Sequence, residues 1–133
     1  MKYVLFVCEK NAGRSQMAEG LFTNQAPRGW MAISAGTEPA EKVHPAVVEV
    51  MQEVGVDLRR KEPQKLTTEM IEKAEKVFTV CDIKDYCPAP LLPKVEHWEL
   101  EDPKDKPISR VREIREDIKK KVVQLIWELR ENG

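Results

Sequence analysis

Val4-Leu5-Phe6-Val7-Cys8-Glu9-Lys10-Asn11-Ala12-Gly13-Arg14-Ser15 is the stretch on which the fold of this 133-residue chain turns. Lys2 to Val7 is nearly continuous in apolar, β-branched and aromatic residues, which predicts a buried central strand. The apolar run stops at a cysteine, and Arg14 opens a predicted helix running to Gln25. A strand that feeds a tight loop into a helix N-terminus makes an anion site, because unpaired amides and the helix dipole converge there. Gly13 allows the backbone angles of a tight cradle, and the Arg14 guanidinium can grip two oxygens of a tetrahedral oxyanion. Surroundings that attract an oxyanion also stabilise a thiolate, and the Ser15 hydroxyl can hydrogen-bond it. The residues therefore predict a nucleophilic Cys8 facing a phosphate-like ligand, with Glu9, Lys10, Asn11, Ala12, Gly13, Arg14 and Ser15 as its binding loop. A buried, inert cysteine at a strand end is the plainer alternative.

Outward from this stretch, strands and helices alternate. The first helix carries Met17, Leu21 and Phe22 on one face, and Ala26-Pro27-Arg28-Gly29 ends it. Trp30 to Gly36 predicts a second strand. His44-Pro45 opens a second helix with an apolar stripe of Val47, Val48, Met51 and Val54, closed by Gly55. Asp57 to Lys65 reads as a surface loop. Thr67 or Thr68 caps a short helix to Ala74. Val77 to Val80 predicts a third strand that also runs into a cysteine, Cys81. Prolines 88, 90 and 93 make the next stretch irregular, and Val95 to Leu100 predicts a fourth strand. Ser109 caps a long last helix striped by Val111, Ile114, Ile118, Val122, Leu125 and Leu129.

This alternation predicts one α/β domain over residues 1–133, a three-layer α/β/α arrangement around a four-stranded parallel sheet. Ligands of such folds bind beyond the carboxyl ends of the strands. Cys8 and Cys81 both fall there, so two thiols share one rim. Asp102-Pro103 follows the fourth strand, and the proline keeps Asp102 out of helical geometry on the same rim. An acid there can supply the proton that a departing oxygen needs, although Asp-Pro by itself is also a common turn.

Composition narrows the classes. The formal net charge is −1, which argues against a nucleic-acid binder. No apolar run approaches the ~20 residues of a membrane span, and the chain opens on a strand rather than a leader. Three cysteines form no secreted framework, so a cytoplasmic protein with catalytic or redox-active thiols is expected; a monomer is expected as well. Five residues separate Cys81 from Cys87, more than the two to four usual for a zinc pair; no metal and no cofactor are expected.

Cys8-x5-Arg14-Ser15 between strand and helix resembles the low-molecular-weight tyrosine phosphatase family. The continuation Arg14-Ser15-Gln16-Met17-Ala18-Glu19-Gly20 is most similar to its thioredoxin-coupled arsenate reductase branch. His97-Trp98-Glu99-Leu100-Glu101-Asp102-Pro103 resembles that family's His-Trp…Asp-Asp-Pro segment, which implies that Asp102 is the general acid. Cys87-Pro88 resembles the branch's segment after the third strand, although its step from Cys81 is six residues where the branch has seven. The resemblance implies a disulfide cascade in which Cys81 attacks Cys8, Cys87 attacks Cys81, and a thioredoxin-like reductant takes the bridge. It also implies an arsenate or phosphate oxyanion as ligand. Asn11, Glu19 and Ser34 match positions that shape the loop and, in some members, hold potassium; Arg60 to Gln64 departs from the matching His-Thr-Ser-Asp pattern. Cys8, Arg14 and Asp102 would also suffice for a phosphatase acting on phosphotyrosine or another phosphomonoester. Residues 103–126 and 37–45 lack the aromatics that flank a phosphotyrosine pocket. A helix spanning Cys81 and Cys87 would hold their Cα atoms ~9 Å apart, beyond the ~7 Å a disulfide tolerates, so a bridge there requires a looped segment. His44 and His97 read as structural.

Overall fold

Burial of every residue from Val4 onwards in β1, Lys2–Cys8, builds the core of the computed structural model, which describes residues 1–131. Val4 and Phe6 face one side of the sheet and Leu5 and Val7 the other, as strand geometry demands. β2 (Trp30–Gly36) and β3 (Lys76–Thr79) flank β1, and β4 (Val95–His97) closes the far edge, giving the order β2-β1-β3-β4. Every pairing is parallel. The carboxyl ends of β1 and β2 are in register, Cys8 opposite Gly36.

The first layer holds α1 (Arg14–Asn24), α2 (Pro45–Gln52) and α4 (Ile108–Glu131). Their stripes meet Val4, Phe6 and Phe78 in one core, with Met17, Phe22, Val47, Met51 and all six expected α4 positions buried. Phe6, Phe78 and Trp98 stack within it, the last two with ring centroids 4.6 Å apart. Each such side chain contributes about 2–3 kcal/mol on burial. The second layer is thinner: α3 (Thr68–Lys73) and residues 81–94 cover Leu5, Val7 and Val77 with Leu66, Ile71, Ile83 and Cys87. The Thr67 hydroxyl accepts from the Met70 amide and caps α3. The three-layer α/β/α arrangement with a four-stranded parallel sheet is the one expected.

Four local expectations are corrected. β4 stops at His97 rather than Leu100, because Trp98 turns into the core and Leu100 offers its carbonyl to Arg14. β3 ends at Thr79, although the Val80 amide still bonds the Val7 carbonyl. Ser109 is not the cap of α4: the helix begins at Ile108, and the Pro107 carbonyl receives the Arg110 and Val111 amides. Val54 lies beyond α2, whose buried stripe is Val47, Val50 and Met51. The expected domain ends at residue 133; its last two residues lie outside those described.

Candidate active site

The loop between β1 and α1 is drawn into a cradle by its own carbonyls. Glu9, Lys10 and Ala12 turn theirs outward to the Glu38, Ala40 and His44 amides at 2.8–2.9 Å. With the carbonyls taken outward, the amides of Lys10, Asn11, Ala12 and Gly13 find no acceptor among the described residues. A run of free amides ahead of a helix N-terminus is an anion nest. Asn11 sits in left-handed backbone at φ 52°, a conformation asparagine tolerates better than most residues. Gly36 lets the strands close on this loop; a Cβ there would lie 2.6 Å from the Glu9 carbonyl oxygen.

Cys8 lies at the floor, 3% exposed, in a pocket of about 160 Å³ lined also by Glu9, Lys10, Gly13, Arg14, His44, Asp102 and Lys104. Arg14, the first residue of α1, donates from Nη1 to the Leu100 carbonyl at 3.1 Å and turns Nη2 to Asp102 at 3.8 Å. Asp102 stands largely exposed at the mouth, its Oδ1 accepting the Lys104 amide. Thus Cys8, Arg14 and Asp102 come together as expected, and so do Glu9, Lys10 and Gly13. Asn11, Ala12 and Ser15 are buried behind the cradle.

Hydrogen-bond bookkeeping gives the network behind Cys8 a direction. Asn11 Nδ2 donates one hydrogen to Ser15 Oγ (2.7 Å) and the other to Ser34 Oγ (3.0 Å). Its Oδ1 accepts from the Gln64 amide and Gln16 Nε2, which fixes the amide's orientation. Each serine has thus accepted a hydrogen and directs its own elsewhere. Ser34 donates to Glu19 Oε1 at 2.8 Å. With Cys8 as a thiolate, which can only accept, Ser15 donates to its Sγ, 2.8 Å away, the polarity that stabilises that form.

Potassium does not fit beside these residues. Glu19 Oε1 is taken by Ser34 and Oε2 by the Lys61 ammonium, while Asn11 presents amide hydrogens. Among the described residues no group of three His, Cys, Asp or Glu side chains gathers to hold a metal.

Cys81 follows β3 on the same rim, half-buried and outside the pocket lining. Burial pushes its thiol up; the Thr79 hydroxyl opposes this, a charge on Cys8 adds to it, and Arg14 pulls it down. The two thiols are thus within each other's electrostatic reach. Cys87 is 6% exposed in the second core, and burial pushes its thiol up as well. The 81–87 segment is not a helix. One turn, in which the Tyr86 and Cys87 amides bond the Ile83 carbonyl, holds it. Tyr86 ties it down: its carbonyl accepts from Thr68 Oγ1 and its hydroxyl from Lys65 Nζ.

Sequence reasoning missed His44 and Lys104 as pocket residues. His44 has the structural place expected of it, at the N-terminus of α2, and from there it also lines the pocket; its place immediately before Pro45 was the available signal. Lys104 is two residues past the rim aspartate. His97 remains outside the pocket.

The chain belongs to the low molecular weight phosphotyrosine protein phosphatase family, which it matches over residues 3–133. It is 37% identical over 120 residues to the arsenate reductase of Staphylococcus aureus strain Newman, covering 89% of this chain and 91% of that one. The thioredoxin-dependent arsenate reductase of Corynebacterium glutamicum superposes with a TM-score of 0.84 at 34% identity, over 100% of this chain and 64% of that one. The YwlE arginine phosphatase of Geobacillus stearothermophilus shares the fold, with a TM-score of 0.89 at 23% identity over 99% and 95% of the two chains. No helix among the described residues is long and apolar enough to cross a membrane.

Proposed function

We propose that this chain reduces arsenate to arsenite, acting as a cytoplasmic monomer regenerated by a thioredoxin-like dithiol. The carrying observation is a second thiol, Cys81, two residues past the β3 residue Thr79 that pairs with Val7, so that it stands on the rim beside the strand end that carries the pocket thiol Cys8. Arsenate enters the free amides and the Arg14 guanidinium. Cys8 thiolate attacks arsenic, an As–O bond breaks, and Asp102 delivers a proton to the departing oxygen as water leaves. Cys81 thiolate then attacks the Cys8 sulfur. The S–As electron pair stays on arsenic, which becomes arsenite, and the two sulfurs are oxidised to a Cys8–Cys81 disulfide. Cys87 thiolate attacks Cys81, Cys8 leaves as thiolate, and the new bridge passes its oxidation to the external dithiol.

Hydrolysis of a phosphomonoester needs only Cys8, Arg14, Asp102 and water, and family membership supports it as the second reading. Phosphotyrosine is disfavoured because no Phe, Tyr or Trp lines the pocket. The test is arsenate reduction coupled to thioredoxin, run beside p-nitrophenyl phosphate hydrolysis, on Cys8→Ser, Cys81→Ser and Cys87→Ser. The expected pattern is loss of both activities in Cys8→Ser. The other two variants lose arsenate turnover and keep hydrolysis. Full arsenate turnover in Cys81→Ser and Cys87→Ser would leave a phosphatase with incidental thiols.

A further inference from the structure

The loop of residues 57–65 has an unexplained attachment to the cradle. Lys61 reaches from it to Glu19 on α1, a carboxylate only 12% exposed. Gln64 reaches from it twice, its amide to Asn11 Oδ1 (2.9 Å) and its Nε2 to the Ser34 carbonyl (2.8 Å). From Lys61 the bonds run without a gap through Glu19, Ser34, Asn11 and Ser15 to Cys8 Sγ.

We propose that Lys61 is the resident cation of the cradle, a positioning residue whose ammonium neutralises Glu19 and thereby keeps the Ser15 hydroxyl directed at the nucleophile. The argument is one of hydrogen polarity. An ionised Glu19 can only accept, so it takes the Ser34 hydrogen and leaves the Ser34 lone pairs to Asn11. The Lys61 ammonium on Oε2 holds that carboxylate in place with its Oε1 on Ser34. Without the ammonium the carboxylate turns towards water, and the Ser34 hydrogen loses its fixed acceptor. Asn11 then loses a fixed partner, and with it the hydrogen bond that orients Ser15. A carboxylate this enclosed is costly without a partner charge, and Lys61 is the charge in contact with it. The inference requires Cys8 to be the reactive thiol and is independent of what it attacks.

Alkylation of Cys8 by iodoacetamide, read by peptide mass, tests this without any oxyanion substrate. Removing one charge-assisted hydrogen bond from the chain should slow it about tenfold in Lys61→Met and Lys61→Ala. Methylammonium should restore Lys61→Ala, Lys61→Arg should recover most of the rate, and Cys87 should stay protected throughout. The Lys61→Met/Glu19→Gln double variant should lose no more than Glu19→Gln alone, because both changes break one chain. The wild-type rate should not change when potassium is exchanged for choline at constant ionic strength. An unchanged Cys8 rate in Lys61→Met would overturn the proposal. So would additive losses in the double variant, a loss that methylammonium fails to restore, or a wild-type requirement for potassium. Intact coupling with no arsenate turnover would instead count against the function alone.

Discussion

Gly36→Ala should separate the cradle from the rest of the fold. The new Cβ would stand 2.6 Å from the Glu9 carbonyl oxygen and 2.9 Å from the Asn11 amide nitrogen, both backbone atoms of the loop. Ordinary contact begins at 3.4 Å, so the loop must retreat by about 0.8 Å. It cannot retreat alone, because the Glu9 carbonyl is bonded to Glu38 and the Asn11 side chain to Ser15 and Ser34. Overpacking of this kind costs about 1–3 kcal/mol, roughly 3–10 °C in Tm for a domain of this size. A catalytic group displaced by ~1 Å loses about a hundredfold in rate. Thermal unfolding and kcat/KM on arsenate and p-nitrophenyl phosphate measure the two effects separately. Gly20→Ala is the control: its Cβ meets Val56 Cγ1 at 2.7 Å, a side-chain tip remote from the pocket lining. Its cost should fall on stability alone. A Gly36→Ala enzyme with wild-type kcat/KM would show that the cradle does not depend on this contact.

Asp102→Asn keeps the mouth's shape and removes the proposed proton donor, so kcat should fall about a hundredfold or more with little change in KM; equal kcat values would remove the role. Glu53 lies under Arg112 and Arg115, whose hydrogen bonds hold its carboxyl below the usual 4.5. A depressed carboxylate stabilises the fold above its unfolded value and loses that contribution as pH falls through its folded one. The urea-midpoint gap between wild type and Glu53→Gln should therefore be open at neutral pH and close below pH 4.5; a gap constant across acid pH would refute the linkage. Oxidation should free residues 82–92, which a Cys81–Cys87 bridge pulls away from the Tyr86 tethers. Equal hydrogen-exchange protection in both redox forms would mean that no such release occurs.

Much of this was legible because it is local. A strand that stops at Cys8, followed by a loop and Arg14 at a helix start, leaves few places for the thiol to point. The α4 stripe identified its buried face residue by residue, since one long helix has one period. What escaped depends on contacts distant in sequence. Lys61 reads as a surface lysine until the fold brings its loop to Glu19, 42 positions away. Trp98 interrupts β4 because Phe6 and Phe78 form its slot, and alternation in Val95 to Leu100 carries no sign of that. Ser109 has the chemistry of a cap, but Pro107 presets the first turn two residues earlier. His44 looked structural because nothing beside it in sequence is reactive; the α2 N-terminus shares the rim with the cradle only in three dimensions.

In the proposed cycle the cradle itself does not choose between hydrolysis and reduction; a race between water and Cys81 for the modified Cys8 does. Two influences on the Cys81 thiol make that race conditional. A charge on Cys8 pushes the thiol up, while Arg14 pulls it down. While Cys8 is a thiolate both act, and its charge holds the second thiol back from ionising. Once Cys8 carries arsenic its charge is gone, the repulsion ends, and Cys81 ionises more readily at the moment it is needed as a nucleophile. Cys8→Ser mimics the loss of that charge. Cys81 in this variant should therefore alkylate faster than in wild type at the same pH, although burial still holds it slower than a free cysteine. Peptide-resolved iodoacetamide kinetics at Cys81 decide the matter. A rate that is the same or lower in Cys8→Ser would mean that the two thiols are not coupled, and the order of attack would need another cause.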